Sequence, residues 1–245
     1  MTKQSDENKF EKIYFQAIED ELSQSKKSYF SGVVNILLRC LPKKKLLCVD
    51  IGCGSGAHFS ELADQKEIWL EGVDAPNDYT QIAIERGYRE IKNVNDFNFS
   101  KLPYDDNSVD CILCKDVLEH LYNPLFLIQE CERVLKVNGT FLFHVPNHFS
   151  LYGRLKFLFL NKLDTFNYFG NDNRFSYPHL RFYEYKDFLE NLTSTRLVLL
   201  KDLSYLFPAL PLSGRFGLAR YLGQKLAKIY PSNFGASITI LGLKK

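Results

Sequence analysis

A buried strand that runs into a glycine-rich turn is encoded by Leu46-Leu47-Cys48-Val49-Asp50-Ile51-Gly52-Cys53-Gly54-Ser55-Gly56. The residues before the first glycine are mostly apolar and of strand length, and helix-like spacing follows the turn. Three glycines at alternate positions allow a ligand to approach the backbone closely and leave N–H groups available where a helix begins. The turn therefore predicts a binding site for a flat or charged ligand.

The glycine spacing by itself leaves two ligand classes open. Gly52, Gly54 and Ala57 fit the G-x-G-x-x-G/A pattern of dinucleotide binding, so NAD is one candidate. Asp50 favours the other class, because a carboxylate at the strand end would repel a pyrophosphate and attract a ligand that carries an ammonium and a sulfonium. We therefore expect a positively charged nucleoside at this turn.

Strand-like and helix-like segments alternate along the chain from this strand onward. The predicted strands are Leu46–Ile51, Ile68–Val73, Glu90–Val94, Val109–Cys114 and Gly139–Val145, and the predicted helices are Ala57–Gln65, Asp78–Arg86 and Pro124–Leu135. Parallel strands need such crossover helices, so the pattern predicts an α/β fold with a mostly parallel sheet and helices on both faces. Ligands bind at the carboxyl ends of the strands in sheets of this kind.

We expect one domain over residues 1–245, divided into four parts. These are an N-terminal helical cover (1–42, with helices over Asp6–Gln24 and Tyr29–Leu41), a ligand-binding core (43–147), an inserted cap (148–183) and the C-terminal part of the sheet (184–245). The cap is predicted from its aromatic content, since Phe149–Tyr185 holds 12 Phe or Tyr in 37 positions. The last predicted elements are a helix over Glu184–Leu192, a strand over Arg196–Tyr205, a helix over Arg215–Ile229 and a strand over Ala236–Leu243.

The composition is that of an ordinary globular protein, with 45% hydrophobic and 24% charged residues. Thirty-one Lys plus Arg against 29 Asp plus Glu leave a net charge of +2, which argues against a general surface for nucleic acid. The first ten residues lack the apolar run of a secretory signal, and no apolar run is long enough to span a membrane. Six cysteines, mostly within apolar runs, are typical of reduced thiols. We expect a cytoplasmic protein that binds no nucleic acid.

Two further acids follow the next two predicted strands. Asp74 ends the second strand, where its carboxylate could accept hydrogen bonds from both hydroxyls of a ribose. Asp96 follows the third strand and could accept a hydrogen bond from an adenine amino group, while Phe97 covers the ring. Each acid alone could instead cap a helix or close a turn, but acids at three successive strand ends together predict a nucleoside site.

Over about residues 46–147 the chain resembles the class I S-adenosylmethionine-dependent methyltransferases, particularly their type-11 branch. The segments that carry the resemblance are Asp50–Gly56, Asp74, Asn95–Phe97, Leu102–Asp110, Asp116–Leu121 and Arg133–Gly139. The chain departs from the family at Asn138, where glycine is usual, and by two extra residues between Asp96 and Leu102. A further partial resemblance, at His179–Tyr183, is to methyltransferases encoded in bacterial surface-polysaccharide clusters.

This resemblance implies a Rossmann-like sheet of seven strands with an antiparallel last strand, and S-adenosyl-L-methionine as the cofactor. The residues expected to bind the cofactor are Asp50, Gly52, Cys53, Gly54, Gly56, Asp74, Asp96, Phe97 and Lys115. The implied activity is in-line transfer of a methyl group to a small molecule or a glycan, which could be lipid-linked. A hydroxyl is the favoured acceptor, ahead of nitrogen or carbon.

A hydroxyl acceptor needs a base near the transition state, and histidine is the favoured residue for that role. All five histidines lie between residues 58 and 179, on or beyond predicted strand ends or in the cap. We rank His120 and His148 first as candidate catalytic bases, although either could serve only to close a loop. The candidate acceptor-pocket residues, which could equally pack the cap's own core, are Tyr152, Tyr168, Phe175, Tyr177 and Arg181.

No metal site is predicted. Cys111 and Cys114 match the C-x-x-C pattern, but residues three apart on a strand face opposite sides of a sheet, so the two sulfurs cannot meet.

The region from Leu203 to Lys245 contains no acid, and its predicted helix at 215–229 is basic on one side and apolar on the other. This helix either covers the sheet or makes a peripheral contact with an anionic membrane.

Two other classes of protein remain open at this point. One is a module that binds S-adenosylmethionine without catalysis and acts as a regulator or an assembly partner. The other is an NAD-dependent oxidoreductase, which the glycine spacing allows and Asp50 disfavours.

Overall fold

The computed structural model describes residues 30–77, 79–160, 179–209 and 217–245. The predicted helix at 6–24 and half of the predicted cap, residues 161–178 of 148–183, lie outside these ranges. Seven strands form one sheet: β1 (Leu46–Ile51), β2 (Ile68–Asp74), β3 (Ile91–Asn93), β4 (Val109–Lys115), β5 (Leu135–Pro146), β6 (Leu197–Asp202) and β7 (Ser237–Lys244). The strand order is β3-β2-β1-β4-β5-β7-β6.

The sheet is parallel from β3 to β5, and β7 pairs antiparallel with both β5 and β6. The predicted Rossmann-like fold, with seven strands and an antiparallel last strand, is therefore confirmed. The first strand has the predicted bounds, and the others differ from their predictions mainly at the ends. The strand order changes direction around β1 and β4, where open α/β sheets form a crevice for ligands.

Seven α-helices surround the sheet in the described part of the chain. They are α1 (Ser31–Cys40), α2 (Thr80–Glu85), α3 (Pro124–Val134), α4 (Leu151–Leu160), α5 (Tyr185–Thr193), α6 (Gly217–Ile229) and α7 (Pro231–Phe234). The side chain of Asn123 caps α3 and Pro124 occupies its first turn, as the sequence of a helix start requires. None of these helices combines the length and the apolar character needed to cross a bilayer.

The predicted helix at 57–65 is wrong in type. The chain forms a short 3-10 turn at Ser60–Leu62 with hydrogen bonds between residues three apart, including Leu62 N–H to Phe59 O at 2.9 Å. Phe59 and Leu62 are both fully buried. Their separation by three residues matches the three-residue period of a 3-10 turn. The spacing that predicted an α-helix is therefore satisfied here by the more tightly wound 3-10 turn.

Two apolar clusters cover the two faces of the sheet. One includes buried side chains of α3 and α5, and the other includes those of α1. Cys114 belongs to the first cluster and Cys111 to the second, so the two thiols lie on opposite faces of β4 as expected from a strand. Close packing on both faces leaves the carboxyl ends of β1, β2 and β4 as the accessible edge.

Candidate active site

A cavity of about 350 Å³ opens at the carboxyl ends of β1, β2 and β4. Its wall consists of the glycine turn, the end of β2, the segment after β3 and the turn after β4. Seven of the nine predicted cofactor residues line it, namely Gly52, Cys53, Gly54, Asp74, Asp96, Phe97 and Lys115. The candidate base His120 also lines this cavity. Residues chosen from separate sequence motifs thus meet around one space.

Glycine is required in the turn after β1 by both its conformation and its neighbours. Gly52, Gly54 and Gly56 have positive φ angles of 70°, 49° and 74°. A Cβ atom on Gly52 would lie 2.3 Å from Cγ2 of Val117, so a larger residue would collide with the turn after β4. The N–H of Gly52 donates to the carbonyl of Val73 at 2.7 Å. The cavity therefore has a backbone wall that a flat ligand can approach.

Asp74 ties the end of β2 to this turn. Its Oδ2 accepts a hydrogen bond from the N–H of Gly54 at 2.5 Å, and its Oδ1 accepts one from the N–H of Ala75 at 2.7 Å. The carboxylate lines the cavity at the predicted position. A diol that binds Asp74 would meet a carboxylate already held in place by two backbone donors.

Asp50 and Gly56 lie outside the cavity wall. The Asp50 side chain is buried, and its Oδ2 accepts a hydrogen bond from the hydroxyl of Tyr88 at 2.7 Å. Burial raises the pKa of Asp50 to about 8, against the opposing effect of the bond from Tyr88. Burial thus works against the charged carboxylate of the sequence-based expectation, because it favours the protonated form of Asp50.

Asp96 forms a turn at the mouth of the cavity. Its Oδ1 accepts hydrogen bonds from the backbone N–H and the side-chain amide of Asn98, both at 2.8 Å. Asn98 in turn accepts a hydrogen bond from the N–H of Asn123 at 2.9 Å, which connects this turn to the start of α3. Phe97 is half-buried and packs against an apolar cluster of the sheet. Asp96 thus closes a turn, and its contact with adenine stays a prediction.

Lys115 and Asp116 form a charged pair at the end of β4. The Lys115 ammonium, on a buried side chain, hydrogen-bonds to Asp116 and lies 5.6 Å from the centroid of the Phe30 ring. Burial opposes ionisation of Asp116, but the charge of Lys115, its hydrogen bond to Asp116 and the nearby His144 together hold the pKa of Asp116 below its usual value. Burial lowers the pKa values of His58 and His144 to about 3, so both imidazoles are neutral at pH 7.

Three histidines lie together beside the cavity. The ring centroids of His120 and His179 are 5.1 Å apart, and those of His148 and His179 are 5.0 Å apart. Nε2 of His148 lies 2.8 Å from Nδ1 of His179. The structure therefore brings together the two candidate bases, although they are 28 positions apart in the chain, with His179 between them.

Hydrogen bonds determine which nitrogen of His148 carries its proton. The backbone N–H of Tyr183, which can only donate, lies 3.1 Å from Nδ1 of His148. The neutral ring must then carry its proton on Nε2 and donate it to Nδ1 of His179. Neither nitrogen of His148 keeps a lone pair for a substrate proton in this arrangement. The geometry thus favours His120, which lines the cavity, over His148 as a candidate base.

Comparison with known proteins identifies the core around this cavity. Residues 49–143 match the family model for the methyltransferase domain of type 11. These residues belong to the type-11 class I S-adenosylmethionine-dependent methyltransferases. This methyltransferase core contains the glycine turn, Asp74, the Asp96 turn and the segment after β4, which are all parts of the cavity wall.

One curated relative is a ubiquinone biosynthesis O-methyltransferase of Histophilus somni, 35% identical over 115 residues that cover 44% of this chain and 47% of the relative. The matches to curated relatives span half of each relative's length or less. A crystal structure of a methyltransferase from Thermotoga maritima shares the fold, with a TM-score of 0.61 and 20% identity, over 96% of this chain and 98% of that one. Another is a geranyl diphosphate C-methyltransferase of Streptomyces coelicolor in complex with S-adenosyl-L-homocysteine, with a TM-score of 0.56 and 16% identity over 88% and 76% of the two chains.

Sequence reasoning missed three side chains around the methyltransferase core. Tyr88 was not considered, because nothing in the sequence places its hydroxyl beside Asp50 across the sheet. Glu119 is buried next to the histidine cluster, and it lies inside the motif Asp116–Leu121 that was quoted only as family likeness. His179 was favoured among the histidines but was ranked behind His120 and His148 as a base. The adjacent pair Glu119-His120 was the available signal for a cluster here.

The predicted acceptor-pocket residues have varied positions. Tyr168, Phe175 and Tyr177 lie outside the described residues, so their role stays a prediction. Tyr152 is exposed on α4. Arg181 is exposed, and its guanidinium donates to the carbonyl of Tyr122 close to the end of the cavity wall at Leu121. Of the described members of this set, Arg181 is thus the one nearest in sequence to the histidine cluster.

Proposed function

We propose that this protein transfers the methyl group of S-adenosyl-L-methionine to a small molecule or a glycan. The observation that carries the proposal is the convergence of the glycine turn, Asp74 and the residues after β4 on one cavity. Backbone N–H groups and the acids Asp74 and Asp96 at its wall suit a nucleoside with a cationic side chain. The curated O-methyltransferase relative supports the same class of reaction.

We propose the following contacts for the cofactor. The carboxylate of Asp74 binds the ribose hydroxyls, Asp96 and Phe97 contact the adenine, and the glycine turn holds the amino-acid part. Lys115 lies at the end of β4, where its ammonium is in position to bind a carboxylate. Asp50, which does not line the cavity, supports the turn indirectly through its buried hydrogen bond with Tyr88.

The chemistry is a displacement at carbon. A lone pair on the acceptor oxygen forms the new O–CH₃ bond while the S–CH₃ bond breaks, and the sulfur keeps that electron pair as S-adenosylhomocysteine is formed. The acceptor proton leaves to a base or to solvent. Since the sulfonium already activates the methyl carbon, the protein's main contribution is to align the two reactants and exclude water.

We propose that the histidine cluster acts on the acceptor hydroxyl. Replacing both His120 and His148 by Ala is expected to leave cofactor affinity intact and to abolish turnover. Because His120 lines the cavity and His148 does not, the single variant His120→Ala should lose more activity than His148→Ala. Full turnover by the double variant would refute the role of the cluster.

The test of the overall function is detection of both products. Purified protein is incubated with S-adenosylmethionine and with cell-envelope or metabolite extracts, and mass spectrometry follows S-adenosylhomocysteine and any product heavier by one CH₂. Both should appear together. A module that only binds would show calorimetric binding of S-adenosylmethionine without S-adenosylhomocysteine from any extract, and an oxidoreductase would bind NADH instead.

We also propose a peripheral membrane contact through α6, where a lipid-linked acceptor would be found. Its apolar side chains do not cover the sheet, since Leu218, Leu222 and Ile229 are 71%, 51% and 66% exposed. Lys225 and Lys228 are exposed on the same helix. An exposed face of this composition suits the interface of an anionic bilayer. The exposed apolar residues of α4, which contacts α7 as α6 does, extend that surface.

We propose a cytoplasmic location on the state of the thiols. All six cysteines are free, and five of them are buried in the apolar clusters. Free buried thiols are usual in a reducing compartment.

A further inference from the structure

Three potential metal ligands converge beside the cavity. A carboxylate oxygen of Glu119 and one ring nitrogen each of His120 and His179 all lie within 4.8 Å of one another. His120 lines the cavity itself. We propose that these three side chains bind one divalent transition-metal cation whose remaining coordination positions open into the cavity. No metal ligands were predicted from the sequence, because only the cysteine pattern was considered for a metal site.

The backbone holds the two halves of this cluster together. Glu119 and His120 lie on a 3-10 turn, Leu118–His120, that follows β4. The carbonyl of Glu119 accepts hydrogen bonds from the N–H groups of Leu180 and Arg181, at 2.7 and 3.0 Å. The segment that carries His179 is therefore anchored to the turn that carries the other two ligands.

The Glu119 carboxyl group independently indicates a missing partner. Its side chain is 1% exposed, and Oε2 makes no hydrogen bond to the residues that the structure describes. Oε1 lies 4.0 Å from Nε2 of His120. A carboxyl group buried in this way is costly unless its oxygens are compensated, and a bound cation would compensate them.

The spacing of the ligands is close to that of a bound ion. Metal bonds of about 2.0–2.2 Å in a tetrahedral site place the ligand atoms about 3.4 Å apart. The three ligand atoms here all lie within 4.8 Å of one another, so small rotations of the side chains would complete the site. Three protein ligands leave further positions for water or substrate, as in catalytic rather than structural sites.

The donor set selects the class of cation. Two imidazoles and one carboxylate suit Mn²⁺, Fe²⁺, Co²⁺ or Zn²⁺, whereas Ca²⁺ and Mg²⁺ prefer oxygen ligands alone. At equal concentration, the Irving–Williams order predicts that the site binds Zn²⁺ more tightly than Mn²⁺. The proposal is therefore a first-row transition cation, with Co²⁺ as a spectroscopic probe.

His148 sets one condition on binding. In the structure it donates a hydrogen bond to Nδ1 of His179, so the neutral His179 ring carries its own proton on Nε2. A cation on Nε2 requires that proton to lie on Nδ1, and the bond between the two histidines then runs in the opposite direction. His148 would lose the 3.1 Å bond from the N–H of Tyr183, which is a single bond exchanged for metal ligation.

The role of the cation rests on the proposed function. An acceptor hydroxyl bound to the cation would be more acidic, so its oxygen would be a better nucleophile for the methyl group. The nitrogen of His120 that binds the cation cannot also receive a proton. His120 would then contribute by holding the cation.

The test is binding of Co²⁺ alone, followed by visible absorption and calorimetry. The full chain should bind one Co²⁺ and show ligand-field bands, and excess Zn²⁺ should displace it. Glu119→Gln, His120→Asn and His179→Asn should each weaken Co²⁺ binding by at least about tenfold. Glu90→Gln is the matched control, since Glu90 is exposed at the start of β3 and away from the cavity, and it should bind as the parent does.

Calorimetry with S-adenosylmethionine on the same variants separates the two proposals. Each variant should bind the cofactor as the parent does, which also shows that it is folded. Retained cofactor binding in a parent protein that takes up no Co²⁺ would overturn the metal site and leave the methyltransferase proposal standing. Equal Co²⁺ affinity in Glu119→Gln and the parent would likewise overturn the site, because that conservative amide removes only the charged ligand.

Discussion

The hydroxyl of Tyr88 donates a hydrogen bond to Oδ2 of Asp50, 2.7 Å away, beneath the glycine turn. Both side chains are buried, with 2% and 4% exposure respectively. The pair holds the acid of the family motif outside the cavity wall. Its protonation state therefore affects the stability of the protein as well as any ligand above it.

Asp50→Asn should stabilise the ligand-free protein above neutral pH. Burial raises the folded pKa of Asp50 to about 8, while the unfolded value is about 3.9, so the folded state binds the proton more tightly. Stability is then lost as the pH rises from about 4 to 8, and the amide removes this loss. Since each pKa unit corresponds to about 1.4 kcal/mol, we expect a gain on the order of 5 kcal/mol at pH 8 and little difference at pH 4.

Thermal unfolding of both proteins between pH 4 and 9 measures this difference. Asp64→Asn, at an exposed acid between β1 and β2, is the control and should follow the parent at every pH. A constant offset between Asp50→Asn and the parent across the whole range would contradict a raised pKa.

Gly56→Ala should be destabilising by about 2–3 kcal/mol. Its φ angle is 74°, and a Cβ atom would lie 2.6 Å from Cε2 of Tyr88 and 3.0 Å from Cβ of Ala83. Gly32→Ala is the matched control, because Gly32 lies in α1 with nothing within 4 Å of an added Cβ. It should be neutral or stabilising by up to about 1 kcal/mol. Chemical denaturation measures both, and equal effects would show that the turn does not require glycine at position 56.

Lys244→Met should be destabilising by about 2–4 kcal/mol. The Lys244 side chain is fully buried at the end of β7, and its ammonium donates to the carbonyls of Glu132 and Leu135 and to Oδ1 of Asn107, at 2.6, 2.7 and 2.8 Å. Methionine fills the space but leaves these acceptors without a donor. Lys245→Met, at the exposed neighbouring position, should change the free energy of unfolding by less than about 0.5 kcal/mol.

The double variant Lys225→Glu/Lys228→Glu should lose binding to vesicles that contain anionic lipid. Each lysine near such a surface contributes about 1 kcal/mol, so reversal of two charges predicts at least a tenfold weaker association. Sedimentation at low and high salt measures it, and neutral vesicles give the background. Lys43→Glu/Lys66→Glu, at exposed positions on another part of the surface, should sediment as the parent does. Salt-insensitive sedimentation of the parent would rule out the membrane contact.

The sequence predicted the sheet well because its signals are local. Apolar runs such as Leu46–Ile51 and the glycines that follow them define strands and turns without reference to distant residues. The helical period at 57–65 misled, since Phe59 and Leu62 have the spacing that a helix and a 3-10 turn share. The cofactor wall was predicted because strand ends of a parallel sheet converge at one edge.

The sequence could not predict interactions that depend on side-chain direction across the fold. Asp50 was expected to face the ligand, but its carboxyl meets Tyr88, which is 38 residues away. Lys244 lies in the acid-free region from Leu203 to Lys245, where nothing in the sequence indicates that its side chain is buried against α3. His148 was ranked as a base from its position in the sequence. The sequence does not reveal its hydrogen bonds with Tyr183 and His179, which disfavour that role.

The antiparallel strand β7 lies between β5 and β6, so β6 cannot join the sheet until residues 237–244 have been synthesised. Until then, a nascent chain on the ribosome presents β5 with unpaired backbone groups, and β6 has no partner at all. Stalling of translation just before Ser237 would thus leave an aggregation-prone intermediate. Chaperone demand should be greatest in that interval.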